Sequence, residues 1–241
     1  MKLLVMSDIH GNENALSSVL DRIRNLTMDG IILLGDLIDY GPHSNEVLEA
    51  IQRVRLPVFC NIFGNHEDAI FNEIYDRFSS DRGRSSARYT RSILSKDSWN
   101  YLENNMNNSG KFEFEVDNLR CLAVHGSLRD EYWIPINSED DFSMYQEYDY
   151  VFSGHSHLPH FFEVCYSVHN PLMRNKKKTV FVNPGSVGQP RNLCPLAQFS
   201  IWDTKTGEIT MARVPYDINK EQQAFSDKVD IFYKRRLEVG I

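Results

Sequence analysis

The chain has 241 residues, 41% hydrophobic and 24% charged, enough apolar material for a sizeable core and too much for a disordered or fibrous protein. Its 33 acidic residues against 26 basic ones leave a formal net charge of -7. That balance argues against general nucleic-acid binding, because affinity for a phosphate backbone comes from clustered Lys and Arg. The four cysteines, Cys60, Cys121, Cys165 and Cys194, lack CxxC spacing, and no apolar run approaches membrane-spanning length. Met1 leads into a strand-like run rather than a basic-then-apolar leader, so a soluble protein of a reducing cytoplasm is expected.

In chain order, "LLVMS" reads as a first strand. Asn14 to Leu26 follows as a helix, with Leu16, Val19, Leu20 and Ile23 at helical spacing. "GIILLGD" is a second strand, Asn45 to Arg53 a second helix, and "VFCNIFGNH" after Pro57 a third strand. This rhythm predicts early strands that are parallel and buried on both faces. From Glu67 to about Asn108 the chain is polar and helix-like, with Ser79 to Ser86 as a loop or weak break. Strand signals return in "KFEFEV", "LRCLAVHG", "YDYVFSGHSH", "KTVFVNPGS", "AQFSIWD" and "ITMARVPYD", with a hairpin turn over Asp203 to Glu208. Ile218 to Gly240 reads as a closing helix. The basic run Arg174 to Lys178 reads as a solvated loop, and His160 and His169 as loop residues. No repeat or linker interrupts the series, so residues 1–241 are expected to form one α/β layered domain.

Five of the strand-like runs end alike. They lead into Asp8 and His10; into Gly35, Asp36 and Asp39; into Gly64, Asn65 and His66; into His125 and Gly126; and into Gly154, His155 and His157. Ligands of open parallel sheets bind beyond the carboxyl ends of the strands, so these side chains are expected at one rim. Glycines beside them fit tight turns or close backbone approach. Carboxylate, imidazole and amide-oxygen donors without cysteine suit Mn, Fe, Zn or Ni. They outnumber one tetrahedral shell, which points to two ions clamping the attacking and leaving oxygens of a phosphoryl transfer.

The blocks "DIH", "GDLIDYG", "GNHE", "VHG" and "GHSH", in that order, resemble the signature blocks of the calcineurin-like metallophosphoesterase superfamily. "NPGSVGQPR", Asn183 to Arg191, resembles its small bacterial and archaeal phosphodiesterase branch. The resemblance implies a four-layer αββα sandwich, two mixed β-sheets flanked by helices, with a dinuclear metal site at the strand ends. It further implies one divalent ion on Asp8, His10 and His157, a second on Asn65, His125 and His155, and Asp36 bridging both. Mn leads the candidates, with Fe, Ni, Zn and Co behind it. His66 would be the general acid, oriented by Asp39, while a metal-bridging hydroxide attacks phosphorus. Arg191 and His43 are further candidates for substrate contact, and Arg82, Arg84, Arg88 and Arg91 place a cationic section between ligand-bearing strands that could roof the site.

The expected activity is hydrolysis of a small-molecule phosphodiester or phosphomonoester, with no membrane partner and a homo-oligomer left open. A dinucleoside-polyphosphate hydrolase or a protein phosphatase is the second reading. Tyr40 stands where protein serine/threonine phosphatases typically carry arginine, which lowers the latter. A non-catalytic protein-binding scaffold of the same fold is the third, disfavoured because His66 and every expected ligand are present.

Overall fold

Leu3 and Val5 leave the first strand on one side and Leu4 and Met6 on the other, and all four are fully buried. Such a strand must lie inside a layered core. In the computed structural model of the chain, which describes residues 1–241, this strand is β1 (Lys2–Met6). It is followed by α1 (Glu13–Ile23), β2 (Gly30–Leu33), α2 (Ser44–Arg53) and β3 (Val58–Asn61). The polar section contains α3 (Asn65–Asn72), α4 (Asp81–Ile93) and α5 (Lys96–Asn105). Next come β4 (Lys111–Val116), β5 (Leu119–Val124), β6 (Tyr150–Ser153), β7 (His160–Ser167) and β8 (Lys176–Asn183). The chain then runs through β9 (Ala197–Asp203), β10 (Glu208–Val214), α6 (Ile218–Gln223) and α7 (Ile231–Arg235).

Two mixed five-stranded sheets result, ordered β10-β9-β1-β2-β3 and β4-β5-β6-β8-β7. β1, β2 and β3 are parallel, whereas β9 joins β1 antiparallel. In the second sheet β5, β6 and β8 are parallel, with β4 and β7 antiparallel at the edges. Alternation then assigns the layers. Leu3, Val5, Ile32 and Leu34 meet Ala123, Phe152 and Val182 between the sheets, around the fully buried Trp202. Leu4, Met6, Ile31 and Leu33 face the helices through Leu16, Val19, Val47 and Leu48. The outer face of the second sheet packs Leu122, Val124 and Phe181 on Tyr145 and Tyr148. The expected sheets flanked by helices are therefore present.

Several local expectations are corrected. β3 is an edge strand with Val58 exposed, not a strand buried on both faces. Of the expected break over Ser79 to Ser86, only Ser79 and Ser80 lie in the connection between α3 and α4: Ser80 caps α4, its side chain accepting from the Gly83 N–H, and Asp81 to Ser86 are helical. His160 opens β7, a half-exposed edge strand whose outer residues Phe161 and Cys165 obscure its alternation. Lys176 to Lys178 belong to β8 rather than to a loop. The closing helix is broken into α6 and α7. Between them Ser226 bonds the Lys228 N–H and Asp230 caps the Phe232 N–H, local bonds that compete with helix continuation.

Candidate dinuclear metal centre

Three of the parallel strands, β1, β2 and β6, deliver their polar residues through turns that an ordinary residue resists. Asp8, His10, Asp36, Asp39, His155 and His157 all take left-handed backbone, with φ between 49° and 73°. Such conformations cost about 1 kcal/mol or more each and cluster where a site over-determines them. The close approach of the β2 and β3 ends explains Gly64, where a Cβ would lie 2.1 Å from Asp36 Oδ1.

The turns converge two groups of donors. Asp8, His10, Asp36 and His157 form one group, and Asp36, His125 and His155 the other, so Asp36 belongs to both. Asp36 Oδ2 lies 3.6 Å from His10 Nε2 and 3.3 Å from His125 Nε2. Asn65 Oδ1 completes the second group, 3.1 Å from His125 Nε2 and 2.8 Å from His155 Nδ1. In the first group, His10 and His157 bring their Nε2 atoms within 3.1 Å of each other. Asp8 Oδ1 sits 3.1 Å from His157 Nε2 yet makes no hydrogen bond and is wholly buried. Donor atoms crowded onto two points, with one buried carboxylate oxygen left unbonded, fit a divalent cation, whose charge would also offset the cost of burying the carboxylates.

The far sides of the rings are held. Nδ1–H of His10 donates to the Ile38 carbonyl, that of His125 to Leu34 at 2.6 Å and that of His157 to Gln189 at 2.5 Å. These bonds fix each tautomer so that Nε2 faces inward. The Gln189 end comes from the "NPGSVGQPR" turn, where Ser186 Oγ donates to the Asp8 carbonyl and accepts from the Gln189 N–H. Ser186 thus braces the turn that carries Asp8.

Electrostatics matches this arrangement. Burial lowers His157 to about 4, helped by Arg191, and lowers His155 to about 3, helped by His125, so both rings are neutral at neutral pH, the form in which an imidazole can bind a metal. Burial would also lower His125, but Asp36 and Asp8 outweigh it and hold it near 9. Burial would raise Asp36, and His125 and His66 instead keep it well below the usual carboxylate range. Against its own burial, His66 is raised by Asp36 and Asp39.

His66 lines a cleft of about 440 Å³ together with Asp36, Asn65, His155 and His157. Its Nδ1 is 2.6 Å from Asp39 Oδ2 and its Nε2 4.0 Å from Asp36 Oδ2. Asp39 is held in turn by Ser86 Oγ and Thr90 Oγ1, which donate to Oδ1 at 2.6 and 2.8 Å. Arg191 lines the same cleft. His43 does not: its Nδ1 lies 3.2 Å from the buried carboxylate of Glu221, so it tethers the C-terminal segment. Arg82, Arg84, Arg88 and Arg91 are likewise absent from the cleft wall, resting on Phe232, Asp81, Tyr75 and Trp99.

Sequence reasoning missed Arg77, Phe78 and Trp133, which line the cleft, and the buried Glu67. Glu67 accepts from the N–H groups of Gly64, Asp36, Leu37 and Ile38, stitching the β2 turn to the start of α3. Its place directly after the paired Asn65 and His66 was the available signal.

Comparison with known proteins agrees. The model of the calcineurin-like phosphoesterase superfamily domain matches residues 1–207. An uncharacterized protein of Methanocaldococcus jannaschii is 30% identical over 228 residues, covering 90% of this chain and 89% of that protein. A symmetrical bis(5'-nucleosyl)-tetraphosphatase of Wigglesworthia glossinidia brevipalpis is 40% identical over 68 residues, 28% of this chain and 25% of its own. A metallophosphoesterase from Sphaerobacter thermophilus shares the fold at a TM-score of 0.76 and 24% identity, covering 100% of this chain and 99% of the other. The chain belongs to the calcineurin-like phosphoesterase superfamily, hydrolases of phosphoester bonds that bind divalent metals at a dinuclear site.

Proposed function

We propose that this chain hydrolyses a phosphodiester or phosphomonoester bond of a small molecule at the cleft over Asp36. The observation that carries the reading is the pair of donor groups sharing Asp36, with His66 free of both and facing the same cleft. Asp8, His10 and His157 would hold one divalent ion, Asn65, His125 and His155 the other, and Asp36 both. When bound, two such ions lower the pKa of a water and offset the charge on the phosphoryl oxygens.

The protein's own groups do the rest. Asp39 accepts the Nδ1–H of His66, and with Asp36 it favours the imidazolium against burial, so that a second proton on Nε2 is available for the departing oxygen. Ser86 and Thr90 keep the second Asp39 oxygen occupied, so the carboxylate cannot rotate away. Arg191 and Arg77, on the cleft wall, would orient the substrate's phosphate oxygens.

The test is a metal-reconstituted screen with Mn, Ni, Co or Fe over cyclic nucleotides, dinucleoside polyphosphates, phosphopeptides and aryl phosphates. Hydrolysis of a small phosphoester, lost in Asp36→Asn, is expected; activity on none, or a fully active Asp36→Asn, overturns the reading. The local match to a bis(5'-nucleosyl)-tetraphosphatase favours dinucleoside polyphosphates as a second substrate class.

A further inference from the structure

Beyond the strand ends, Arg191 stands on the cleft wall, and two more arginines rest on Phe232, whose neighbour Tyr233 stacks behind the wall residue Tyr40. Arg191 lines the cleft beside Tyr40 and His157, and its Nε is buried without a hydrogen-bond partner. Arg236, just after α7, is only 7% exposed; its Nε donates to an oxygen of Ile241, the last residue of the chain. Its guanidinium lies 5.1 Å from the centre of the Phe232 ring, and that of Arg82 lies 4.0 Å from the same ring. None of the three pairs with an Asp or Glu side chain, although the chain has 33 such residues to draw on. Tyr233 stacks on Tyr40 at 4.1 Å, and Tyr40 is 4.3 Å from the His66 ring, so α7 is packed directly against the cleft wall. Burial, and then the charge of Arg191, bring the Arg236 guanidinium down to about 10, as expected of cations held close together.

We infer that this end of the cleft is an anion subsite, in which Arg191, backed by Arg236 and Arg82, holds a second, non-reacting phosphate of the substrate. The substrate is then a phosphoester carrying at least two phosphate groups, whether linked in a chain or attached at separate positions. Guanidinium forks match phosphate oxygens in pairs, and a desolvated cation gains most from such a partner. Arg236 lies outside residues 1–207, the part that matches the superfamily model, so the subsite is completed by a segment beyond the shared domain. The inference rests on the phosphoester reading of the same cleft.

Calorimetric titration of the metal-stripped full chain with inorganic tripolyphosphate tests it. Tripolyphosphate should bind at least about tenfold tighter than orthophosphate, since it can place one phosphate on Arg191 and another beyond it. Arg191→Gln and Arg236→Gln should each weaken that binding about tenfold, with Arg236→Lys restoring part of it. Arg82→Gln, at an exposed position, gives a smaller loss and keeps the test open if the Arg236 variants fail a circular-dichroism check. Equal affinity for the two anions, or arginine variants that bind tripolyphosphate as the wild type does, overturns the inference. A chain that hydrolyses phosphoesters yet shows no arginine-dependent binding overturns the subsite alone. One that binds tripolyphosphate through these arginines but hydrolyses no ester overturns only the phosphoester reading.

Discussion

The two donor groups share Asp36 but hold their side chains differently. Asp8, His10 and His157 are at most 1% exposed, and both imidazoles fasten Nδ1 to a backbone carbonyl. In the other group His125 is fastened the same way, whereas His155 turns Nδ1 inward toward Asn65 and leaves Nε2 without a protein partner. His155 is also partly exposed and packs edgewise on His125 at 5.3 Å and on Trp133 at 6.3 Å between ring centres. Both groups reach the cleft, but one has each imidazole fastened from behind by the backbone, whereas the other has one ring, His155, without such an outer bond. Ligand orientation by outer hydrogen bonds commonly changes metal affinity 10–100-fold, so the groups should differ by about that much in how tightly they hold an ion.

Removing what the groups share should erase the difference, with the largest effects. Asp36→Asn should cut hydrolysis at least about a thousandfold and lower the metal content of both groups, read by elemental analysis of the purified chain. His66→Ala should cost about 10²–10⁴-fold in kcat with metal content intact. Its loss should be larger for an alkyl phosphate than for a nitrophenyl phosphate, whose leaving group needs less protonation; equal losses would remove His66 from the acid role.

Single-group changes should sharpen the contrast. With a chelator, metal should leave in two phases, and His155→Ala should accelerate only the faster one. His157→Ala should abolish the slower phase and lower the melting temperature more than His155→Ala does, because it leaves the buried Asp8 carboxylate without its neighbour. Thr90→Val, which removes one of two donors to Asp39, should lower kcat about tenfold with metal content unchanged.

What the sequence revealed followed the physics of strand ends. β1, β2, β3, β5 and β6 are short apolar runs whose last residues turn sharply, so hydrophobicity located the strand and the polar residue after it located the rim. The same logic failed for α4. Its Arg82, Arg84, Arg88 and Arg91 read as a candidate roof, but Arg84, Arg88 and Arg91 are absorbed elsewhere by Asp81, Tyr75 and Trp99, and Arg82 rests on Phe232 behind the cleft wall. The contribution of α4 to the site comes instead from Ser86 and Thr90, two small hydroxyls with no sequence signature. Trp133 and Arg77 lie in connections whose course depends on tertiary packing, where no periodicity can speak. The C-terminal break escaped notice because Ser226 and Asp230 act through local bonds rather than through an overt Gly or Pro. His43 was misplaced for a simpler reason: nothing near it in the chain announces Glu221, 178 residues away.

The sheet order has a consequence in time. β1 carries the first donors, yet its outer edge is covered only when β9 pairs with it antiparallel, and Tyr40 gains its stacking partner only when Tyr233 arrives. At ribosomal speeds of about 5–20 residues per second, a nascent chain spends several seconds with every donor through His157 synthesised and β1 still an open edge. During that interval the half-made molecule exposes both an edge that other strands could pair with and side chains able to seize a stray cation. Its emergence from the ribosome is therefore the stage at which wrong pairing or wrong metal can be locked in.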